Sequence, residues 1–460
     1  MKWPDQRVGA IVVVTVGLIV SSLFGTGRTA ADGLEPAPQQ KDEPKPKAPP
    51  APIVPEAPPP APAPMNDAPV LSEAQHEVLK SALQKQPSAV TTLLSKVRYR
   101  GNLKLNYTKF AQRVLHDSIK KNENAVLARM PALAPSTRGV LAVQAALDQS
   151  LTEPHVQDVM SRRIAALCGT IPPKDLREQV RKQNAHAATV LKSFAPALRA
   201  AEPLEVNAPN PKQARLDWRQ PGLVVKGSGI VTAVQDQNTP TACGCCWAFA
   251  TVGALEASYA KNFKLQIGGS EQFLLNNASV LDSTLPEPWS CDGGWFAFDM
   301  LSTSKKLVPN PGLARRSAIP YSGVQEPAGD VAQHPYKVLT WGYVDQGGDP
   351  NALPSDEALK RALCQYGPLA ASILVPTDAS GAAAQAWSFY EEGVFQDVPN
   401  DPQRSTNHAI VMIGWDDAQG AWIVKNSWGK DWGMSGFFYI KYGFNNIGSG
   451  ACWVVAAPRG

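Results

Sequence analysis

The chain has 460 residues, 44 Lys and Arg against 40 Asp and Glu, and a formal net charge of +4. That length carries roughly three domain-sized units, the apolar content is enough for at least one large core, and so small a net charge is too weak to imply a nucleic-acid partner. The charge is unevenly spread: about +11 over residues 70–215 and about −6 over residues 216–460, which fits either two surfaces that meet or two separately solvated ones. Lys2 and Arg7 precede an apolar run at 8–24, and small residues around Ala30 and Ala31 follow it. Residues 1–31 therefore read as a signal peptide cut near Ala31, or as an uncleaved membrane anchor. Either places the rest outside the cytoplasm: secreted, periplasmic or anchored on the extracytoplasmic side. The membrane is a partner only through this segment.

Residues 32–69 are dominated by Pro, Ala, Glu and Lys. Such a stretch buries nothing and favours an extended polyproline spacer. Residues 70–202 read as helical. Ser72-Glu73-Ala74-Gln75 is a capping box before Val78, Leu79, Ala82 and Leu83. Apolar periodicity suggests further helices around 110–127, 140–147, 156–167 and 176–198, separated by prolines. The segment carries no metal spacing, no phosphate loop and no repeat. Residues 203–213 are rich in Pro and Asn and read as an exposed linker open to processing.

From residue 214 the character changes, with dense Trp and Gly and strand-like apolar runs. Residues 408–414, 422–425 and 436–441 read as successive strands with a turn at 416–420. Cys246 opens a buried helix. In Cys243-Gly244-Cys245-Cys246-Trp247 a Gly-containing loop runs into that helix. A Cys at a helix start meets unpaired backbone N–H groups that favour its thiolate. An odd count of seven Cys leaves at least one free thiol unless chains pair. His408 is a candidate to activate Cys246 by ion pairing, and Asn426 a candidate to hold the imidazole without adding charge. The same cluster contains a C-x-x-C, which as a redox pair would require a thioredoxin-like strand before it. A non-catalytic binding module is the third reading, and the intact Cys, His and Asn count against it. No His or Cys pair at ligand spacing supports a metal, and no cofactor is expected.

Residues 214–460 resemble the papain family of cysteine peptidases. The resemblance rests on Asp217-Trp218-Arg219, Gln237, Cys243-Gly244-Cys245-Cys246-Trp247, Ser270-Glu271-Gln272, Cys291-Asp292-Gly293-Gly294, Asn407-His408-Ala409 and Asn426-Ser427-Trp428-Gly429-Lys430-Asp431-Trp432-Gly433, in that order. It implies an α+β fold of two lobes, one helical and one an antiparallel β-barrel-like lobe, preceded by an all-helical segment and a Pro-rich linker. It implies an endopeptidase acting on protein or peptide substrates. Cys246 would be the nucleophile, His408 the acid–base partner and Asn426 its orienting residue. Gln237 would share the oxyanion hole with the Cys246 N–H. Gly293 and Gly294 would pair with an extended substrate, Trp428 would shield the His–Asn contact, and Ala457 would floor a side-chain pocket. Cys243 would bridge to Cys291. Residues 70–202 stand where the family carries an inhibitory prosegment, a partner within the same chain.

The sequence also departs from the family. The loop between Gln237 and Cys243 is longer than usual, and Cys245 replaces a common Ser. Asn276-Asn277 stand where a Cys is usual. Cys452 lies at one end of a family disulfide, with Cys364 as its candidate mate. The family's interspersed prosegment motif survives only as Phe110, Arg113 and Asn122.

Overall fold

The computed structural model describes residues 164–174, 176–201, 209–222, 229–281, 289–305, 308–328, 333–344, 353–377, 386–388 and 390–458, with a few residues between 103 and 142. The expected signal or anchor, the Pro-rich spacer and the capping box at Ser72 lie outside the described residues. No helix among the described residues is long and apolar enough to cross a membrane.

Two cores organise the catalytic part. The first surrounds α2 (Cys246–Phe263), in which every residue from Cys246 to Tyr259 is buried. A helix apolar all round is a central helix rather than a surface one. It stops at Lys264, whose left-handed φ of 57° turns its N–H back onto the Ala260 and Tyr259 carbonyls. The helices α3 (Glu271–Leu281) and α4 (Phe298–Leu301) lie on the same side.

The second core belongs to a sheet ordered β3-β10-β4-β7-β8-β9-β6. Its strands are β3 (Val338–Tyr343), β4 (Leu369–Ile373), β6 (Val394–Phe395), β7 (His408–Asp416), β8 (Ala421–Lys425), β9 (Phe437–Lys441) and β10 (Ser449–Ala456). A further strand, β2 (Arg215–Asp217), pairs with β7. The ladder is antiparallel except for β6 against β9, which run parallel. The strand β7 is buried on both faces from His408 to Trp415, so its sequence is a continuous apolar run rather than an alternation. Gly414 is required there: a Cβ would run into the Leu216 carbonyl of β2, at a register irregularity between Met412 and Gly414. The helix α5 (Asp356–Tyr366) covers part of the sheet. Its N-cap Ser355 hydroxyl accepts from the Ala358 N–H at 3.2 Å. The three strands and the turn expected between 408 and 441 are observed.

The upstream segment differs from the all-helical expectation. Short helical stretches occur at 124–129, 137–139 and 164–167, and α1 (Leu176–Ala201) matches the helix expected at 176–198. The segment also holds a strand, β1 (Lys104–Leu105), paired with β5 (Tyr390–Glu392), and a non-helical run at 168–173. Pro172 and Pro173 lack the N–H a helix needs, which keeps the stretch before α1 extended.

Candidate active site

The helical core and the sheet meet where the start of α2 faces the start of β7 and the end of β8. Cys246 is the first residue of α2, fully buried, and the N-cap residue Cys245 makes no side-chain cap. The Ala248 N–H closes on the Cys245 carbonyl at 2.8 Å, and the positive end of the helix lies at Cys246, where it favours an anion at Sγ. Burial pushes the Cys246 thiol up. The charge and hydrogen bonding of His408, with Thr170 and the Ala409 N–H, outweigh that and hold it below its usual value. Sγ accepts from the Ala409 N–H at 3.4 Å. Its neighbour Cys245 is the opposite case: burial drives its thiol far up, and its Sγ lies 3.2 Å from the Tyr321 hydroxyl. Of two adjacent cysteines only Cys246 is electrostatically prepared to react.

His408 opens β7 and is fully buried. Its Nε2 donates to Asn426 Oδ1 at 2.9 Å. The Asn426 oxygen also accepts from the Ser427 N–H at 2.9 Å, which fixes the amide's orientation. His408 Nδ1 is buried without a nitrogen or oxygen partner, leaving that nitrogen for the thiolate. The Trp428 ring lies 4.7 Å from the imidazole between centroids, itself buried. Cys246, His408, Asn426 and Trp428, separated by up to 182 positions in sequence, are thus one cluster.

Gln237 reaches the same place despite its lengthened loop. Its carbonyl accepts from the Cys243 N–H at 3.3 Å, so residues 238–242 loop out and return in register. Its side-chain oxygen accepts from the Ser427 hydroxyl at 2.6 Å, which turns Nε2 the other way as a donor, with one bond to the Cys243 carbonyl at 2.7 Å. Cys243 is bridged to Cys291, as the resemblance implied. The bridge also removes Cys243 from a redox pair with Cys246. Cys364 and Cys452 are not bridged: Cys452 is buried with its thiol on the Gly450 carbonyl, while Cys364 is half-buried on α5. Ala457 follows β10 and donates its N–H to the Lys337 carbonyl at 2.9 Å, buried in the second core.

The site is crossed by residues 167–171, which carry no motif. Gln237 Nε2 donates to the Leu167 carbonyl at 3.0 Å. The Gly169 N–H donates to Cys246 Sγ at 3.4 Å, and the Thr170 hydroxyl lies 3.2 Å from it. Gly294 donates to the Gly169 carbonyl at 2.8 Å and accepts from the Ile171 N–H at 2.9 Å, while the Thr170 N–H reaches the Asn407 carbonyl at 3.0 Å. Gly169 has to be glycine, because any Cβ would run into the Gly244 carbonyl. Gly293 lies against Ile171 and Gly294 against the Trp247 ring, so neither leaves room for a side chain.

The family follows from an ordered match on top of this geometry. Residues 212–457 match the profile described as "Papain family cysteine protease", more than half of the chain. The chain belongs to the papain family of cysteine proteases. Thiol protease aleurain from Arabidopsis thaliana is 30% identical over 242 residues, covering 51% of this chain and 58% of that protein. Cathepsin K from Mus musculus is 32% identical over 220 residues, covering 47% of this chain and 58% of that protein. The chain thus spans somewhat over half the length of these papain-family relatives. A solved structure of digestive procathepsin L 3 from Tenebrio molitor larval midgut is 20% identical at a TM-score of 0.45, covering 83% of this chain and 98% of that one.

Beneath this papain-family site lies a cluster of mostly buried charge, of which the motifs included only Glu271. Arg316 donates to Glu271 at 2.8 and 3.1 Å and to Glu256 at 3.1 Å. Glu256 also accepts from Thr232 and from the Gly269 N–H at 3.0 Å. Lys425, next to Asn426, donates to Thr232 at 2.9 Å. Burial pushes the Lys425 ammonium down, with the charge of Glu256 working against it. Helix α2, helix α3 and strand β8 are tied together there.

Proposed function

We propose that the chain is an exported cysteine endopeptidase, held latent by its own residues 167–171. Cys246 attacks a peptide carbonyl as thiolate, forming a C–S bond. The oxyanion accepts from Gln237 Nε2 and the Cys246 N–H. His408, as imidazolium, gives its proton to the departing amine, and water then releases the acyl group with His408 as base. Asn426 keeps the imidazole turned to the thiol, and Trp428 keeps water from that contact. Gly293 and Gly294 offer backbone to an extended substrate. Ala457, small and apolar, is the proposed floor of a side-chain pocket.

The observation that carries this reading is the peptide already lying in the site. A carbonyl, that of Leu167, rests on Gln237 Nε2 at 3.0 Å, and the next residues pair with Gly294 as an extended chain. A peptide carbonyl on that donor is what an oxyanion hole requires. The same run supports latency. With the Gly169 N–H and the Thr170 hydroxyl on its lone pairs, Sγ is not aimed at a carbonyl carbon.

The test is hydrolysis of a fluorogenic peptide by the full chain and by residues 214–460. The shorter form should be the faster, and Cys246→Ser should abolish its activity. An inactive shorter form that is folded and labels at Cys246 would contradict the endopeptidase reading. Equal activity of the two forms would contradict latency.

A further inference from the structure

The helix α1 lies along an open sheet edge. The strand β3 is the last in its sheet, so one row of its backbone groups has no strand beside it. Val344 donates to Ala451 of β10 at 2.8 Å, and by alternation Trp341 and Tyr343 turn their backbone groups the other way. Three of those groups, the Trp341 carbonyl and the Tyr343 N–H and carbonyl, are taken by two consecutive side-chain amides of α1. Asn184 Nδ2 donates to the Tyr343 carbonyl at 3.2 Å, and Asn184 Oδ1 accepts from the Tyr343 N–H at 2.8 Å. Gln183 Nε2 donates to the Trp341 carbonyl at 2.6 Å.

A primary amide carries the same donor and acceptor as a peptide group. Asn184 therefore reproduces the two-bond pair that a neighbouring antiparallel strand would make. A helix cannot do this with its backbone, whose groups are used internally. The fit is specific in shape as well. Gly342, between the two bonded residues, leaves the space: a Cβ there would run into the Trp453 ring and meet Asn184 Oδ1 at 2.9 Å. Gln183, Ala187 and Val190 are buried beneath the helix, and His186 Nε2 lies 3.0 Å from the Ser304 hydroxyl. The ion pairs of α1 are internal, Glu178 with Arg181 and Lys182, on its exposed side.

We propose that α1 is a strand-mimicking clamp that keeps residues 167–171 seated over Cys246 after the 203–213 linker is cut. This rests on reading the crossing run as inhibitory. The order along the chain is crossing run, clamp, linker. A cut in the linker severs the covalent tether yet leaves run and clamp on one fragment. Binding at two places joined by a short connection makes each rebind before the other leaves. Cleavage of the linker is then not activation; release or destruction of α1 is. The edge of β3 is the receiving surface, and its occupant is the segment Leu176–Ala201.

The test is a full chain carrying a site-specific protease sequence within 203–213, compared as wild type, Gln183→Ala/Asn184→Ala and Asn184→Asp. Alanine favours the helix, and Asn184→Asp keeps the shape while placing an oxygen against the Tyr343 carbonyl. After cutting, two quantities are measured: iodoacetamide labelling of Cys246 and co-elution of the fragments on gel filtration. Cut wild type should stay protected with its fragments together. The cut double variant should label at least about tenfold faster, as expected for loss of the clamp's hydrogen bonds, with Asn184→Asp also faster than wild type. Cut wild type labelling as fast as the double variant, or losing its N-terminal fragment at once, would overturn the clamp. Fast labelling of the cut double variant without peptide hydrolysis would instead count against the peptidase reading and leave the clamp standing.

Discussion

The two lobes of the catalytic part and the run that crosses them are held by different chemistry. Beneath the site, buried Glu256, Glu271 and Lys425, with the half-buried Arg316, tie α2, α3 and β8 together through charge-assisted bonds. Across the site, residues 167–171 and α1 are held by backbone, hydroxyl and amide hydrogen bonds. Breaking a buried charge network leaves an uncompensated charge, whereas neutral bonds are exchanged for water at small net cost. On the latency proposed above, the permanent junction uses the first kind and the removable one uses the second. The charge contrast read from the sequence is therefore not what the described contacts of 164–201 use.

The largest expected effect lies on the permanent side. Cys246→Ala should lower peptide hydrolysis more than about a thousandfold, as loss of a nucleophile does. Cys245→Ser should keep most of the activity, because that thiol is buried and driven up. Steady-state kinetics on the two variants decides between them. Next is Arg316→Met, which leaves Glu256 and Glu271 facing each other without their cation. Denaturant titration should show a loss of about 3–5 kcal/mol.

On the removable side the sign reverses. Gly169→Ala drives a Cβ into the Gly244 carbonyl. It should raise the full chain's activity, by roughly ten- to a hundredfold if the clash costs what overpacking usually does. A drop would mean the run supports the site instead of blocking it. A smaller effect concerns pH. His408 lowers the Cys246 thiol, so thiolate persists to lower pH with His408 than without it. In the chain freed of its upstream segment, His408→Ala should slow alkylation near pH 6 far more than at pH 9. Smallest of all, Arg181→Ala removes an exposed pair internal to α1 and should leave latency unchanged in the peptide assay.

The legible part of the site was the part written as local motif. Cys246 before Trp247, Asn407 before His408 and Asn426 before Ser427 each announce their neighbours in a few residues. The strands β7 to β9 were legible because a sheet buried on both faces leaves continuous apolar runs. The crossing run was not, because Cys168-Gly169-Thr170 is unremarkable until Thr170 meets a thiol 76 positions away. The helix α1 is legible, but not its contacts with β3, since Gln183 and Asn184 look like ordinary solvated amides. The longer loop after Gln237 hid nothing in the end: the chain returns to the same hydrogen bond at Cys243. The pairing of Cys364 with Cys452 failed because cysteine spacing says nothing of where side chains point.

The most direct measurement is covalent labelling with an epoxysuccinyl thiol inhibitor, followed by peptide mapping, on the full chain and on residues 214–460. The predicted result is modification at Cys246 alone, fast in the shorter form and slow in the full chain. Equal rates in the two forms, or modification of Cys245 in place of Cys246, would contradict a prepared nucleophile covered by its own chain.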